Sequence, residues 1–321
     1  MTIEIKKAQR KQSKLRIGLS SPSGAGKTYS SLLLAKGLVG DWTKIGIIDS
    51  ENGRGNIYSD FGDYNIINLK PPFTPELYIE AIRALENAGM EAIIIDSTSH
   101  EWEGEGGCLQ LNEKLAIAKY KGNTWSAWSE TTPRHQKFLD AITSSSSHII
   151  TTVRNKVETV MGEDKKVKKV GTKEVQREGF EYELTVNFNI DRDTHMVIAS
   201  KDNTQLFEGK DPFIITEKTG EILRDWVMSG AVDTEAKEKE ELMAEIKAIV
   251  LLIGKEMNWL EAQTGALNNK TSAELSKIKV QMDGVLAKVN AKNAEKAAAA
   301  TQANDGLKKS AAKHIIPSDN K

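Results

Sequence analysis

The run Ser23-Gly24-Ala25-Gly26-Lys27-Thr28-Tyr29 can wrap a polyphosphate. Gly24 and Gly26 let the backbone bend so that successive N–H groups face one anion, at the positive end of the helix that follows. Lys27 brings a point charge to the terminal phosphates, and the Thr28 hydroxyl is a ligand for Mg²⁺. The setting argues against a chance glycine-rich turn. An apolar strand, Leu15-Arg16-Ile17-Gly18-Leu19, precedes the run, and a helix from Thr28 to Val39 follows it. Ser21 stands where this loop pattern has glycine, at the position that opens the turn and lies farther from the phosphates.

A divalent cation on Thr28 needs an acid opposite it. Ile93-Ile94-Ile95-Asp96 ends a buried apolar strand in a carboxylate, which places Asp96 to hold the metal's water shell. Hydrolysis also needs a carboxylate that orients or deprotonates water. Glu51, after the strand ending in Asp49, and Glu101, five residues beyond Asp96, compete for that role. Adjacent strand ends in a parallel sheet converge on one crevice, so either can reach it.

The elements that must position these groups follow an α/β alternation from Leu15 to about residue 232. Lys44–Asp49, Asn65–Leu69, Glu91–Asp96 and His148–Val153 read as strands, and Pro75–Ala88, Cys108–Tyr120 and Pro133–Ser144 as helices. Beyond His148 the pattern turns to hairpin strands at Val157–Val160, Val167–Val170, Tyr182–Ile190 and His195–Ser200. The fold class expected is α/β, a P-loop core with a mostly parallel central sheet plus β-hairpins and a C-terminal helical extension. Residues 1–14 read as a flexible basic arm, 15–232 as the core, 233–290 as a helical module and 291–321 as a mobile tail.

Composition narrows the functional classes. The chain of 321 residues carries a net charge of −1, so any case for nucleic acid must rest on local patches. One such patch exists: Lys165, Lys166, Lys168, Lys169 and Lys173 follow one another with no acid between them. It can track a phosphate backbone, or it can be a solvated hairpin tip. Cys108 is the only cysteine, which removes internal disulfides and cysteine-cluster zinc sites. No apolar run is long enough to span a bilayer, and no secretory signal opens the chain, so a cytoplasmic protein is expected. Trp125 and Trp128 are either base-stacking platforms or core, with core favoured.

Several runs resemble one family. Ile47-Ile48-Asp49-Ser50-Glu51 is similar to the RecA segment whose glutamate is the catalytic base, Ile95-Asp96-Ser97 to the RecA Walker B run, and Ile149–Asn155 to the strand feeding the second DNA-binding loop. Asp96–Trp102, Trp125–Trp128 and Arg177–Glu183 look closer to phage-encoded RecA-core ATPases, the group with Sak-type single-strand annealing proteins. This resemblance spans about residues 15–230. It implies a RecA-like core, ATP and Mg²⁺ as cofactors, a homo-oligomer, and work on single-stranded DNA in recombination or replication within a host cytoplasm. It favours Glu51 as the base, puts Thr152 at the γ-phosphate sensor position, places the lysine run on the DNA, and aligns Lys201 with a lysine that reaches a neighbour's nucleotide. Lys201 is as readily an ordinary surface lysine. The helical module is expected to serve phage or host partners or oligomer contacts. A nucleotide-gated adaptor without turnover and a P-loop small-molecule kinase are the alternatives; the kinase would need an arginine-rich lid that the sequence does not display.

Overall fold

The computed structural model describes residues 7–161, 167–232, 234–265, 267 and 270–312. Of the lysine run, Lys165 and Lys166 fall outside these residues. The chain divides into two compact units, Met1–Ala231 and Val232–Lys321.

The first unit is built on eight strands: β1 (Arg16–Ser21), β2 (Ile45–Asp49), β3 (Asn65–Asn68), β4 (Ala92–Asp96), β5 (His148–Met161), β6 (Val167–Glu174), β7 (Val186–Ile190) and β8 (Val197–Asp202). They form one sheet in the order β3-β2-β4-β5-β1-β7-β8, with β6 paired to β5. Strands β3 to β7 along that order are parallel, and only β8 and β6 run antiparallel to their neighbours. Parallel strands covered on both faces read as unbroken apolar runs rather than alternating ones. That accounts for Ile93-Ile94-Ile95 and Ile47-Ile48, all fully buried.

Helices α1 (Lys27–Val39), α2 (Pro75–Asn87), α3 (Ser99–Glu103), α4 (Cys108–Lys119), α5 (Thr124–Thr143) and α6 (Glu217–Met228) connect or cover the strands. Strand periodicity sorts the core into two layers. Ile47, Ile94 and Ile150 pack with Leu32, Ala35 and Leu38 of α1 and Leu223 of α6. Ile48, Ile93, Ile95 and Ile149 face the other way, onto Tyr78, Ile82 and Leu85 of α2 and Phe138 and Ile142 of α5. The α/β class and the mostly parallel sheet expected from the sequence are what the structure has.

Two boundaries and one burial differ from the sequence reading. Helix α5 starts at Thr124, where the Asn123 side chain accepts the Ser126 N–H, and continues through Pro133. A proline inside a helix costs about 3 kcal/mol. Its buried stripe of Ala127, Thr131, His135, Phe138 and Ile142 runs unbroken across that point and offsets the cost. Strand β5 is a single element of 14 residues, so the strand entering the sheet and the first hairpin strand are one. Trp125, expected in the core, is 87% exposed, because it lies in the first turn of α5 off that stripe. Trp128 does pack, stacked on Trp102 with centroids 5.6 Å apart.

Within the expected basic arm, Arg10 and Gln12 are bonded to the end of α6. Arg10 donates to Ser229 Oγ at 2.6 Å and lies over the Trp226 ring, while Gln12 N–H donates to Ala231 O at 2.9 Å. The second unit holds α7 (Thr234–Leu252), α8 (Met257–Thr264) and α9 (Ser272–Ala312), packed around Ile246, Val250, Leu260, Leu275 and Met282. Helix α9 continues past residue 291, through a stretch of strong helix formers that includes Ala297–Ala300. Among the described residues no helix is long and apolar enough to cross a membrane.

Helices α1 and α6 approach so closely that a Cβ on Gly37 would lie 2.0 Å from Glu217 O. Gly37→Val is therefore expected to destabilise the first unit by about 1–3 kcal/mol or more, read as a lower midpoint in urea unfolding followed by circular dichroism.

Candidate functional site

Parallel register brings four strand ends to one edge of the sheet. Asp49 of β2 is level with Asp96 of β4, and Ser21 of β1 is level with Arg154 of β5. Ligands of open parallel sheets bind outside this edge.

The loop between β1 and α1 turns at Gly24 and Gly26, whose φ values of 86° and 88° lie in the left-handed region that a side chain disfavours. Gly26 is also the N-cap of α1. The first N–H groups of that helix have no partner within it and point into the crevice. The Lys27 ammonium folds over the loop, donating to Ser21 O at 3.0 Å, Ser21 Oγ at 3.1 Å and Pro22 O at 3.0 Å. Ser21, the departure from the glycine pattern, thus holds the lysine through its own hydroxyl.

Asp96 is almost fully buried and accepts two hydroxyl bonds, from Thr28 to Oδ2 and from Thr152 to Oδ1, both at 2.5 Å. Strand β5 lies between β1 and β4, so Thr152 is delivered directly beside the acid. Burial pushes the Asp96 carboxyl above its ordinary range, against the two threonine bonds. Burial likewise pulls the Lys27 ammonium below its ordinary value, against the attraction of Asp96 and Glu51. Each charge therefore lacks full compensation within the protein. An anionic phosphate at Lys27 with a divalent cation at Asp96 supplies both countercharges, and the Thr28 hydroxyl and Asp96 carboxylate are the hard oxygen donors that Mg²⁺ takes.

Glu51 reaches the same edge from the loop after β2. Asp49, the last residue of β2, works on the backbone. Its carboxylate accepts the Glu51 N–H and the Gly55 N–H, each at 2.6 Å, and shapes the loop that carries Glu51. The Glu51 carboxylate accepts from Arg154 Nε at 2.9 Å and from Arg154 Nη2, and from Ser97 Oγ at 3.3 Å. Burial pushes this carboxyl up, but Arg154, with His100 and Arg54 behind it, outweighs burial and holds it below the ordinary range.

The second candidate base is not at this edge. Glu101 is fully buried, and its carboxylate bonds to His135 Nδ1 at 3.0 Å, Cys108 Sγ at 3.1 Å and Gln176 Nε2 at 3.4 Å. Neighbouring residues of a helix point about 100° apart. In α3, His100 faces the strand ends through Ser50 Oγ, 2.8 Å away, and Glu101 is consequently aimed at α4 and α5. It belongs to an internal polar cluster and not to the phosphate crevice.

Of the other expected residues, Tyr29 is half exposed on α1 and packs edge-on against Tyr58 and Phe61, with Ser23, Gly24 and Ala25 in the loop before it. Lys201, on β8, donates to Glu181 O at 3.2 Å and Tyr182 O at 2.6 Å of its own chain, away from the crevice. Lys168, Lys169 and Lys173 lie on β6, the hairpin strand that pairs with the far half of β5. Two residues at the site were not singled out by sequence. Arg154 follows Thr152 by two, so strand periodicity alone puts it on the same face. His195, whose Nδ1 is 3.1 Å from Ala25 O, comes from the β7–β8 turn and carries no local signal.

The sequence profile of the family described as AAA domain matches residues 13–213. The chain belongs to that family. This AAA domain is thus a nucleotide-binding domain of the P-loop ATPase kind, and the crevice between Lys27, Thr28 and Asp96 is the candidate for its nucleotide. No curated protein matches the chain. Within the AAA domain, Lys27→Ala is expected to lower affinity for a fluorescent adenine nucleotide by about a hundredfold without changing the circular dichroism spectrum. Wild-type affinity in that variant would separate Lys27 from phosphate binding.

Proposed function

We propose that the protein is a Mg²⁺-dependent ATPase that acts on single-stranded DNA in recombination or replication, as an annealing or recombinase-like factor. The observation that carries the hydrolytic half is the meeting of Lys27, Asp96 and Glu51 at one sheet edge, each from a different strand end.

When bound, Mg²⁺ neutralises the phosphate oxygens and stabilises charge that builds up during transfer. The protein's own groups do the rest. Backbone N–H groups from Gly24 to Thr28 bind and orient the phosphates, and Lys27 leaves its loop oxygens to bond to them. The Thr28 hydroxyl and the Asp96 carboxylate hold the cation's side of the crevice, and Thr152 keeps Asp96 aligned through its bond to Oδ1. Glu51 orients a water molecule and accepts its proton once its carboxylate is free.

The DNA half rests on the β5–β6 hairpin, which grows out of the strand carrying Thr152 and bears Lys168, Lys169 and Lys173. A ligand there sits on the continuation of the strand that carries Thr152. The likeness of Asp96–Trp102 and Arg177–Glu183 to phage-encoded RecA-core proteins supports the same reading, as well as assembly into a homo-oligomer.

Glu51→Gln is expected to bind ATP as wild type does and to hydrolyse it about a hundredfold more slowly or worse, measured by phosphate release. An unaltered rate would assign the protein to nucleotide-gated adaptors or move the base elsewhere. Single-stranded DNA is expected to raise the wild-type rate, and the gain should shrink steeply between low and moderate salt as lysine–phosphate contacts are screened. A rate indifferent to DNA at every salt concentration would remove the nucleic-acid half.

A further inference from the structure

Arg154 marks the place where the parallel sheet ends and the hairpin begins. Its backbone pairs with Ser21 of β1, its N–H donates to Ser99 Oγ at 2.9 Å, and its carbonyl accepts the Val175 N–H at 2.7 Å. From the next residue onward β5 pairs with β6, beginning at Asn155 opposite Glu174. No loop intervenes, so a shift of the hairpin is carried directly to the Arg154 backbone.

The Arg154 side chain grips Glu51 at two points, Nε on Oε1 and Nη2 on Oε2. Ser97 Oγ adds a donor to Oε1, and Arg54 Nη1 lies 3.6 Å from Oε2. Both carboxylate oxygens are thereby committed to protein donors. A carboxylate in that state is a weak base and has little capacity left to orient water.

Two residues along the strand from Arg154 the charge pattern calls for an anion. Lys156 and Lys173 are direct cross-strand partners in the hairpin. Like charges facing each other across strands repel. Lys156 is paired to Glu103 of α3, with 65% of its side chain exposed. The two lysines, Glu103, Gln176 and the Trp102 ring line a cavity of about 200 Å³ at the root of the hairpin. Glu174, also at its wall, is turned to Asn187 at 3.1 Å. Phosphate on the lysines with a base against an indole is the recognition used for single-stranded nucleic acid.

We propose that Arg154 is a positioning residue that restrains Glu51, and that single-stranded DNA seated at Lys156, Lys173 and Trp102 releases it by drawing the hairpin root away from α3. The proposal rests on Glu51 being the water-orienting carboxylate proposed above. Phosphate competes with Glu103 for Lys156, the hairpin shifts, and the strain on Arg154 opens its two-point grip. The groups facing Glu51 are Arg154 from β5, Arg54 from the loop after β2, Lys27 from the phosphate loop, His100 from α3, Asp96 from β4 and Tyr78 from α2. Of these, only Arg154 belongs to the strand that continues into the hairpin.

The test is steady-state ATP hydrolysis by the full chain, with and without a thymidine homopolymer. Arg154→Ala is expected to raise the DNA-free kcat about fivefold, towards the DNA-stimulated wild-type value, at unchanged KM. Its acid limb should move to higher pH, because Arg154 is what keeps the Glu51 carboxyl ionised below the ordinary range. Lys156→Ala combined with Lys173→Ala is expected to lose the stimulation by DNA. A DNA-free kcat in Arg154→Ala no higher than wild type, at unchanged melting temperature, overturns the restraint; stimulation retained without the two lysines overturns the release. If Arg154→Ala does not fold, Arg154→Lys, which keeps the charge and loses the two-point grip, is expected to show the same rise in smaller measure, and no rise would be equally decisive. Glu51→Gln separates the layers. Normal turnover in that variant removes the base assignment itself, whereas an inert Glu51→Gln beside an unaccelerated Arg154→Ala removes only the restraint.

Discussion

The candidate site depends on one buried carboxylate being shared by two threonines. Asp96 closes β4, and its oxygens tie the first turn of α1 through Thr28 and the neighbouring strand β5 through Thr152. A carboxylate in so dry a place is costly unless its lone pairs are met. Both are met here by hydroxyls, each a group that can turn to another partner without leaving its place. The loop Gly24–Thr28, Asp96 and Thr152 thus form one unit, and the sheet register sets its dimensions.

Around that unit the protein arranges three charges, of which Lys27 and Asp96 are incompletely satisfied. Lys27 rests on loop oxygens, Asp96 on hydroxyls, and Glu51 on a guanidinium that belongs to β5, two strands away in the sheet. A magnesium–triphosphate complex carries complements for the first two. The third has its complement, Arg154, within the chain already. Asp49 supports the arrangement from below by fixing the backbone of the Glu51 loop, and Ser50 does the same for the Ser97 segment, whose N–H donates to its hydroxyl at 2.9 Å.

A second polar cluster lies close in sequence and apart in function. Glu101, Cys108 and His135 are all fully buried and bond to one another beneath Trp102. Burial pushes the Cys108 thiol well up, with Glu101 adding to the effect, so Cys108 stays a thiol donor. The cluster pins α3 to α4 and α5, and so fixes the segment from which His100 and Ser97 address Glu51. Its part in the nucleotide site is to hold those neighbours in place.

Much of this was legible in the chain itself. Apolar runs ending in Asp49 and Asp96, and the spacing from Gly24 to Thr28, specify strands, a phosphate loop and a helix through local chemistry that needs no partner from afar. Period-two arithmetic on β5 also contains Arg154 once Thr152 is placed. Other features depend on contacts that no local pattern encodes. Local chemistry leaves Glu51 and Glu101 as rivals, and the RecA resemblance favours Glu51; the turn of α3 is what aims Glu101 into the core while Glu51 stays at the crevice. His195 meets the phosphate loop because β7 pairs with β1, and Lys156 meets Lys173 because β6 folds back along β5. Residue type and short-range period decided what the phosphate loop and strand ends are; which carboxylate they serve, and what restrains it, were decided by strand order and helix orientation, since side chains distant in sequence meet only through the fold.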